Sequence, residues 1–529
     1  MGAGQQHDHG QDRPPRSHVA SVVPRRRAVQ VSAAPGLGWT FRSPPKKIAP
    51  MIVMKFDAGS IGSHDRLRAV ARLVQQHKAR KPVVVTSALP KVTDLLLEAA
   101  DLAAGRQSDY EDRVQEVKAL HEQVASDLLP DGPGRRRFAN HLEERIEELR
   151  ILYKAVYALA ELTPRTRDAI AAVGERLSSE LVAEALSQQG LRAETIDART
   201  VILTDDVFGA ASPLMDEIAP RLKLKMKPML GTGQVPVIGG YMGATREGVT
   251  TTLGRGGADA TAAVIGTLLD AEEIQIWGEV DAFMTVDPKL APDALAIPRV
   301  SPDEAAELAY FGTKVLHPAM IRPAVDKGIP VRIGDTREPG APGTLITTSA
   351  DLGPSGPCAV VCRKGITVIL LSQPRMLMAT GFLRQMFEIF ERHDTPIDLI
   401  ATSEVSISVT VDDVEHLAEI KADLSRLGEV RILRENAIVS LVGRGFFRYQ
   451  GLSRRIFEAL SDVNVVMISF AASDVNISVL VAEADAERAV HSLHREFFYK
   501  SAEEPSAEEK SNQKASGGRK SPKSGSHPR

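Results

Sequence analysis

The segment Thr251–Ala263, with the sequence TTLGRGGADATAA, places a glycine-flanked arginine and an aspartate where a strand is predicted to become a helix. Its glycines allow a tight turn, and the apolar run from Asp259 onward predicts a buried helix whose free N–H groups face that turn. Arg255 can hold a carboxylate or a phosphate through two parallel hydrogen bonds. The segment therefore predicts an anion site, although a helix capped by Asp259 beside a solvated Arg255 is an alternative interpretation.

Around this junction, the chain alternates short apolar strands with amphipathic helices between residues 52 and 348. Strands are predicted at Ile52–Phe56, Val83–Thr86, Thr200–Leu203, Val235–Ile238, Ile274–Trp277 and Val331–Ile333. Helices are predicted at Arg66–His77, Val92–Ala104, Arg113–Asp127, Phe138–Leu159 and Arg167–Gln188. This alternation indicates an α/β fold with a mostly parallel sheet between helices, in which ligands bind beyond the carboxyl ends of the strands.

Composition places the chain among globular proteins with an ample core. Of its 529 residues, 43% are hydrophobic and 25% are charged, and the net charge is −3. Nothing in these values indicates nucleic acid or membrane as a partner, and no apolar run approaches the roughly 20 residues that span a bilayer. The two cysteines, Cys358 and Cys362, are too few for a structural zinc site or a disulfide framework, so we expect a reducing, cytoplasmic compartment.

The two ends of the chain differ from its middle. Residues 1–50 are rich in Gly, Pro, Gln, His and Arg and poor in large apolar residues, and residues 500–529 are rich in Ser, Lys, Glu and Gly. Both compositions are typical of disordered segments. The arginine-rich leader could instead be an organelle transit peptide, an interpretation that its acidic residues and prolines disfavour.

The last third of the chain contains an internal repeat. Placing residues 381–411 over residues 451–481, without a gap, gives eleven identical pairs in 31 positions, beginning with Gly381 and Gly451. Each copy has the pattern of a helix, a strand, a turn and a strand. The repeat therefore predicts two similar modules side by side, at residues 365–434 and 435–499, beside a catalytic domain at residues 51–350. They are expected either to bind an effector between them or to act only in packing and dimerisation.

Five ordered motifs and the repeat resemble the aspartate kinases with paired C-terminal ACT domains. The chain has MIVMKFDAGSIGS where the family has KFGGTSVGS, VGERLSSELVA where it has GERLS, and TTLGRGGADATAA where it has LGRGGSD. It also has IWGEVDAFMTVDPK for IWTDVDGVYTADPR and ELAYFGTKVLHPAMIRPA for ELAYFGAKVLHP. The resemblance covers about residues 51–499. It implies the amino-acid kinase fold with two ferredoxin-like ACT modules, and the long helical stretch resembles the monofunctional, lysine-sensitive class.

The resemblance implies transfer of a phosphoryl group from ATP to the side-chain carboxylate of L-aspartate, the first step towards lysine, methionine and threonine. Such a reaction between anions needs cations that offset charge on the transferring group. Lys55 is the family's catalytic lysine, and Asp259 would orient it and help to carry the metal–water shell of Mg²⁺. The implied substrate contacts are Arg255 for the α-carboxylate, Glu175 for the α-ammonium, Thr93 through its hydroxyl, and Tyr241.

The resemblance places ATP and Mg²⁺ at a second group of residues, and here the sequence departs from the family. This group comprises Ser60, Gly278, Glu279, Met284, Lys289 and Lys314. Asp57 and Ala58 stand where the family has two glycines, and Gly278-Glu279 replaces Thr-Asp. An active kinase is the first hypothesis, and a catalytically weak paralogue that binds an amino acid as a regulatory module is the alternative.

The resemblance also implies an effector site in the repeat. The family's contacts map to Met376, Phe382, Leu383, Asp398, Ser403 and Glu404. The two carboxylates would bind the ammonium of the effector, and the helix that begins near Gly381 its carboxylate. Ala379 stands where lysine-sensitive relatives often have serine, so lysine and threonine both remain possible effectors. Paired ACT domains also imply a homodimer or a tetramer.

Overall fold

The structure, a computed structural model, describes residues 51–279, 282–311, 318–348, 352–373, 381–470 and 473–499, with the side chains of residues 318 and 319 excepted. The strands of its N-terminal region are β1 (Ile52–Phe56), β2 (Pro82–Thr86), β3 (Ala193–Ile196), β4 (Val235–Gly239), β5 (Met242–Ala244), β6 (Thr250–Thr252), β7 (Glu273–Gly278), β8 (Arg299–Val300), β9 (Val331–Asp335) and β10 (Thr344–Ile346). The helices are α1 (Ala58–Ile61), α2 (His64–Gln76), α3 (Val92–Ala104), α4 (Tyr110–Leu128), α5 (Pro133–Leu159), α6 (Pro164–Gln188), α7 (Met215–Gly231), α8 (Gly257–Leu269), α9 (Pro302–Phe311) and α10 (Pro318–Asp326).

Eight of these strands form one sheet in the order β3-β4-β2-β1-β7-β9-β10-β8, and only the β9–β10 pair is antiparallel. Alternate residues of β1 enter two separate hydrophobic cores. Ile52, Met54 and Phe56 pack with residues of α2–α6, whereas Val53 packs with residues of α7, α8 and α10. The predicted mostly parallel sheet between two helical layers is confirmed.

One predicted strand is wrong. Residues 200–203 do not join the sheet, and the strand of this region is β3 instead. The Asp197 side chain accepts a hydrogen bond from the backbone N–H of Arg199 (3.1 Å) and starts a 3₁₀ turn at Ala198–Thr200. The apolar residues Val201 and Ile202 are buried without strand pairing, so their burial produced a strand-like pattern.

The C-terminal region, from residue 356, is an antiparallel sheet covered by helices. Its elements are β11 (Gly356–Ser372), α11 (Phe382–Arg392), β12 (Ile400–Thr402), β13 (Ser406–Val411), α12 (Leu417–Leu424), β14 (Glu429–Arg444), α13 (Leu452–Ala459), β15 (Val465–Ser469), β16 (Asn476–Ala482) and α14 (Ala486–His494). The strand order is β12-β13-β11-β14-β16-β15. The repeat therefore folds into equivalent halves, in which Gly381 and Gly451 precede α11 and α13 with φ of 87° and 77°.

The long strands β11 and β14 join the two halves of this sheet. Residues of β11 before Ile366 pair with the end of β14, and residues after it pair with both the start of β14 and β13. Each half thus shares its central strands with the other, and a movement in one half can reach the other through the backbone. No helix among the described residues combines the length and apolar character that a membrane crossing needs.

Candidate active site

Lys55 and Asp259 form a buried ion pair at the carboxyl end of β1. Lys55 follows Val53 on the face of the strand that packs against α8, because side chains of a strand alternate between its faces. Asp259 is the third residue of α8, and its Oδ1 lies 2.8 Å from Lys55 Nζ. The two side chains are only 8% and 7% exposed. A cation is thus fixed where β1 ends, although the contact lacks the alignment of a hydrogen bond.

The glycine-flanked arginine lies in the turn between β6 and α8. Gly256 is the N-cap of α8 with a φ of 77°, and no side chain caps the helix. The alternative interpretation of Asp259 as the cap is therefore wrong. Arg255 is exposed, and its side chain has no hydrogen bond or ion pair with any residue that the structure describes. Its guanidinium is therefore available to a ligand.

The end of β4 passes close to the start of α8. A Cβ added to Gly240 would lie 2.7 Å from the Cα of Ala258, so only glycine permits this approach. The next residue, Tyr241, has a φ of 67°, and its ring packs against Gly257. A positive φ at a bulky residue costs about 1–3 kcal/mol and is most often kept at functional sites. This strain points to a role for Tyr241 in binding.

Glu175 is a buried carboxyl group on α6. It is 5% exposed, and its Oε2 has no hydrogen-bond partner among the described residues. Burial raises the pKa of Glu175 to about 8, against the opposing effect of a hydrogen bond from the backbone of Ala88. A Cβ added to Gly239 would lie 2.8 Å from the Glu175 carbonyl oxygen, which places α6 against the end of β4. An entering cation would satisfy this carboxyl group.

These residues, together with Asp168, whose carboxylate accepts hydrogen bonds from Thr252, define the first half of the site. We call it the α8 cluster: Lys55, Asp168, Glu175, Tyr241, Arg255 and Asp259. Thr93 lies near the start of α3 and is half-buried. It is not the helix cap that an isolated threonine at this position suggests, because the N-cap is Lys91. The α8 cluster thus offers one arginine, one buried ion pair and one buried, unpartnered carboxyl oxygen.

The turn that follows β1 faces the ends of β7 and β9. Asp57 caps α1 by accepting a hydrogen bond from the backbone N–H of Ser60 (2.8 Å). The Ser60 side chain is buried and donates to the Trp277 carbonyl oxygen (3.1 Å). The carboxylate of Asp57 therefore stabilises its own turn, and the Ser60 hydroxyl ties this turn to β7.

Two arginines surround Glu279, the residue after β7. Nη1 of Arg66 lies 2.5 Å from Glu279 Oε1, and Nη2 of Arg337 donates to the Glu279 carbonyl oxygen (2.5 Å). Arg66 also donates to the carbonyl oxygen of Gly59. The second half of the site, the β7 cluster, consists of Ser60, Arg66, Gly278, Glu279 and Arg337. Arg337 also pairs with the Asp335 carboxylate, so the two guanidinium groups are matched by the carboxylates of Glu279 and Asp335. The Arg66–Glu279 pair is more exposed than the Lys55–Asp259 pair of the α8 cluster.

The remaining residues expected at the nucleotide lie elsewhere in the chain. Met284 forms an isolated bridge with Ala296, and Lys289 is exposed in the loop between β7 and β8. Buried residues of this loop, Val286 and Ala291, belong to the hydrophobic core of the C-terminal region. Lys314 lies outside the described residues. The loop thus connects the catalytic sheet to the C-terminal sheet.

The residues expected at the effector site surround the start of α11 and the β12–β13 turn. Phe382 is buried and Leu383 exposed on α11, and Ser403 and Glu404 are exposed in the turn. The Asp398 side chain is 3% exposed. Met376 lies outside the described residues.

Asp398 contacts the catalytic region directly. Its Oδ1 accepts a hydrogen bond from the hydroxyl of Tyr310, on α9, and another from Arg363 Nη1 (3.2 Å). The Arg363 guanidinium also lies over the Tyr310 ring, 5.1 Å from its centroid. Oδ2 of Asp398 has no hydrogen-bond partner among the described residues. The contact joins the C-terminal sheet to the helix that precedes the Lys314 segment.

Sequence reasoning did not single out four residues that the structure brings to these places: Asp168, Arg66, Arg337 and Tyr310. Arg337 follows the carboxyl end of a correctly predicted strand, so the rule for parallel sheets could have found it. Tyr310 lies inside a motif that the family resemblance already covered. Asp168 and Arg66 had no signal, since both lie on amphipathic helices among other charged residues.

Comparison with known proteins gives a consistent result. Residues 50–335 match the model of the amino acid kinase family, and residues 439–497 match that of an ACT domain. The chain is 34% identical over 463 residues to the lysine-sensitive aspartokinase 3 of Escherichia coli, covering 85% of this chain and all of that relative. It is 38% identical to the chloroplastic aspartokinase 3 of Arabidopsis thaliana, with 84% of this chain and 81% of the relative covered.

Solved structures agree with the sequence comparison. The fold superposes on Escherichia coli aspartokinase III in complex with aspartate and ADP with a TM-score of 0.71, at 32% identity, over 85% of this chain and 100% of that one. Its TM-score with the same enzyme in complex with lysine and aspartate is 0.75, over 85% and 99% of the two chains. The resemblance noted in the sequence thus extends to the three-dimensional structure.

Proposed function

The chain belongs to the amino acid kinase family as an aspartokinase with a C-terminal ACT domain, and we propose from this premise that its two residue clusters bind L-aspartate and ATP, respectively. The reaction transfers the terminal phosphoryl group of ATP to the side-chain carboxylate of L-aspartate, which gives 4-phospho-L-aspartate for lysine, methionine and threonine synthesis. The observation that carries the assignment is the buried Lys55–Asp259 pair beside the unpartnered carboxyl group of Glu175.

The α8 cluster suits an amino acid with a second carboxylate. Arg255 would bind the α-carboxylate in two-point fashion, and Glu175 would pair with the α-ammonium. Tyr241 and Thr93 would contact the rest of the substrate. Arg255 and Lys55 thus supply two cations for a substrate with two carboxylates, and Glu175 supplies a carboxylate for the substrate ammonium.

Lys55 would stabilise charge on the phosphoryl group during transfer. A buried ammonium acts strongly on nearby charge because little water screens it, and Asp259 fixes its position in advance. Because phosphoryl transfer requires little covalent chemistry from the protein, positioning and electrostatics supply most of the catalysis. The ion pair is thus suited to the chemical step, whereas Arg255 and Glu175 are suited to binding.

The β7 cluster is proposed to hold the nucleotide through Ser60, Gly278 and Glu279. Met284, Lys289 and Lys314, which lie outside this cluster, are proposed as further nucleotide contacts on the family resemblance alone. Arg66 and Arg337, whose guanidinium groups contact Glu279, would hold that residue in place rather than bind the nucleotide themselves. Mg²⁺ usually binds one or two carboxylates together with substrate phosphates, and the carboxylate of Asp259 is of this kind. Bound there, Mg²⁺ would neutralise phosphate charge. Among the described residues, no group of three or more Asp, Glu, His or Cys side chains forms a metal cage.

The two acidic residues at the positions that depart from the family each have a partner within the protein. The Asp57 carboxylate accepts the Ser60 N–H, and the Glu279 carboxylate is paired with Arg66. Asp57 is therefore engaged in capping α1, and the charge of Glu279 is paired. The comparisons favour the active kinase over the catalytically weak paralogue.

An assay of ADP release with L-aspartate and Mg-ATP tests the function. Trapping of the product with hydroxylamine distinguishes an acyl phosphate from simple ATP hydrolysis. We expect ADP and trapped product in equal amounts. ADP release that does not depend on aspartate, or no turnover at saturating substrates, would instead favour the regulatory paralogue.

Regulation is proposed to act through competition for Asp398. An effector ammonium that pairs with Asp398 meets a carboxylate whose Oδ1 is already bonded to Tyr310 and Arg363. Effector binding would release Tyr310 and, with it, the end of α9 that precedes Lys314. A ligand that favours the released state shifts the population towards it, and the released state would be the less active one.

Calorimetry with lysine and with threonine, on wild type and on Tyr310→Phe, tests this proposal. The variant lacks the competing hydroxyl, so we expect tighter effector binding and a smaller response of the activity. Unchanged affinity for the effector in Tyr310→Phe would contradict the competition.

We also propose a homodimer or tetramer formed through the ACT modules, and a cytoplasmic location. Sedimentation can test the oligomeric state, and cell fractionation can test the location.

A further inference from the structure

Asp168 is a buried carboxylate of the α8 cluster to which the proposed reaction assigns no role. It lies on α6, two helical turns before Glu175, and is 3% exposed. Residues seven apart share one face of a helix, so α6 presents both carboxyl groups to the same side. Burying a carboxylate is costly unless its oxygens are hydrogen-bonded, so its partners indicate what it does.

All three hydrogen bonds to Asp168 come from segments next to Arg255. Its Oδ2 accepts from the backbone N–H groups of Thr252 (2.8 Å) and Gly209 (2.9 Å), and its Oδ1 accepts from the Thr252 hydroxyl (2.7 Å). Thr252 ends β6, three residues before Arg255. A Cβ added to Gly254 would lie 3.0 Å from the Gly209 carbonyl oxygen, so the Gly209 loop packs against the arginine turn.

Thr252 extends this network to Tyr241. The Tyr241 carbonyl oxygen accepts a hydrogen bond from the backbone N–H of Leu253 (2.8 Å), the residue after Thr252, and the Tyr241 hydroxyl lies near the Thr252 side chain. Tyr241 is the residue with the strained, positive φ. Asp168 thus connects the helix that carries Glu175, the strained Tyr241 and the turn that carries Arg255.

We propose that Asp168 is a positioning residue that fixes the distance between the Glu175 carboxyl group and the Arg255 guanidinium, and so selects the ammonium–carboxylate spacing of an α-amino acid. The proposal rests on the proposed binding roles of Glu175 and Arg255. Asp168 itself does not need to touch the substrate. Its loss would let the Arg255 turn move relative to α6 and would weaken aspartate binding without altering the Lys55–Asp259 pair.

Asp168→Ala and Asp168→Asn separate positioning from mere stability. Alanine leaves two buried N–H groups without partners, whereas the asparagine oxygen can accept both and its amide can donate to Thr252. We expect Asp168→Ala to raise the aspartate KM at least about tenfold, the effect of losing one to two buried hydrogen bonds. The ATP KM and kcat should stay within about threefold, and Asp168→Asn should recover most of the aspartate affinity.

Asp197→Ala is the matched control, because Asp197 also accepts a backbone N–H and starts a turn, but beside β3. It should lower the melting temperature and leave the aspartate KM unchanged. If Asp168→Ala does not fold, Thr252→Val removes only the hydroxyl contacts and should raise the aspartate KM by a smaller factor.

The outcomes distinguish this proposal from the proposed function. Wild type without aspartate-dependent ADP release would overturn both. Active wild type, a raised aspartate KM in Arg255→Ala and an unchanged one in both Asp168→Ala and Thr252→Val would overturn the positioning role alone. Equal changes in the aspartate and ATP KM values, or the same change in Asp197→Ala, would also overturn it, because a general loss of stability would then be sufficient.

Discussion

Lys55, Glu175 and Asp259 of the α8 cluster each expose 6% of their surface or less, whereas the Arg66 and Glu279 side chains of the β7 cluster are 39% and 45% exposed. The two clusters occupy the same edge of one sheet. The three buried residues of the α8 cluster carry charges whose energies depend strongly on their partners, whereas the exposed Arg66–Glu279 pair of the β7 cluster is screened by water. The sequence follows the family closely around the first and departs from it around the second. Buried polar networks restrict substitution more than solvated ion pairs do.

The largest effect in this comparison is expected at Glu175. Because burial raises its pKa to about 8, the folded protein holds a proton that the unfolded chain releases near pH 4.5. The contribution of this group to stability is therefore fully present below pH 4.5 and is lost as the pH rises towards 8, a change of about 5 kcal/mol. We expect Glu175→Gln to lose this decline, measured as the difference in denaturant stability from wild type at pH 5, 7 and 9. A parallel decline in both proteins would contradict the buried, protonated carboxyl group.

The next effect concerns the Lys55–Asp259 pair. Lys55→Met should lower kcat by roughly 10²–10³, the effect of removing one preorganised electrostatic group. The aspartate KM should change far less. Lys227→Met, which removes an exposed lysine on α7, is the control and should retain the wild-type kcat. A Lys55→Met enzyme with at least half of the wild-type kcat would exclude Lys55 from the chemical step.

Arg255 is expected to have a smaller effect, confined to one substrate. Arg255→Ala should raise the aspartate KM about ten- to hundredfold, since a charge-assisted contact contributes about 1.5–3 kcal/mol. Arg255→Lys keeps the charge without the planar guanidinium group. Its aspartate KM should therefore lie between those of wild type and Arg255→Ala. Steady-state kinetics with each substrate varied in turn measure the split. An ATP KM that rises as much as the aspartate KM would refute the assignment of Arg255 to the substrate.

The smallest effect is expected at the exposed pair. Arg66→Ala should change the ATP KM by no more than about threefold, because an exposed ion pair is worth about 0–1 kcal/mol. Glu279→Gln removes the charge of the other residue of this ion pair, and it should also change the ATP KM by no more than about threefold. A thirtyfold rise in the ATP KM of Arg66→Ala would show that the β7 cluster is as finely arranged as the α8 cluster, and the comparison would fail.

Much of this arrangement could be predicted from the sequence, for physical reasons. Five of six strands and all five helices predicted in the catalytic region are present, because their hydrophobic periods match the two faces of a buried sheet. The family resemblance, and not a local period, implied that Asp259 orients Lys55, and the structure places the two side chains 2.8 Å apart. The prediction of a strand at residues 200–203 was wrong because burial alone does not distinguish a strand from a packed turn.

Contacts between segments that are distant along the chain could not be predicted from the sequence. Asp168 forms hydrogen bonds across 41 and 84 residues, and Tyr310 reaches Asp398 across 88. No local period encodes such pairs, since each depends on how whole elements pack. The same reason explains why the pairing of Glu279 with Arg66 was not predicted.

Calorimetry of L-aspartate binding to the nucleotide-free protein at pH 7 can show whether the α8 cluster is a preformed aspartate site. A preformed α8 cluster should bind aspartate without ATP, and the Glu175 carboxyl group, with its pKa raised to about 8, must lose its proton to pair with the ammonium. We expect a heat that varies with the ionisation enthalpy of the buffer, corresponding to release of nearly one proton per aspartate, and the loss of this variation in Glu175→Gln. No binding without nucleotide, or a heat that is the same in every buffer, would contradict it.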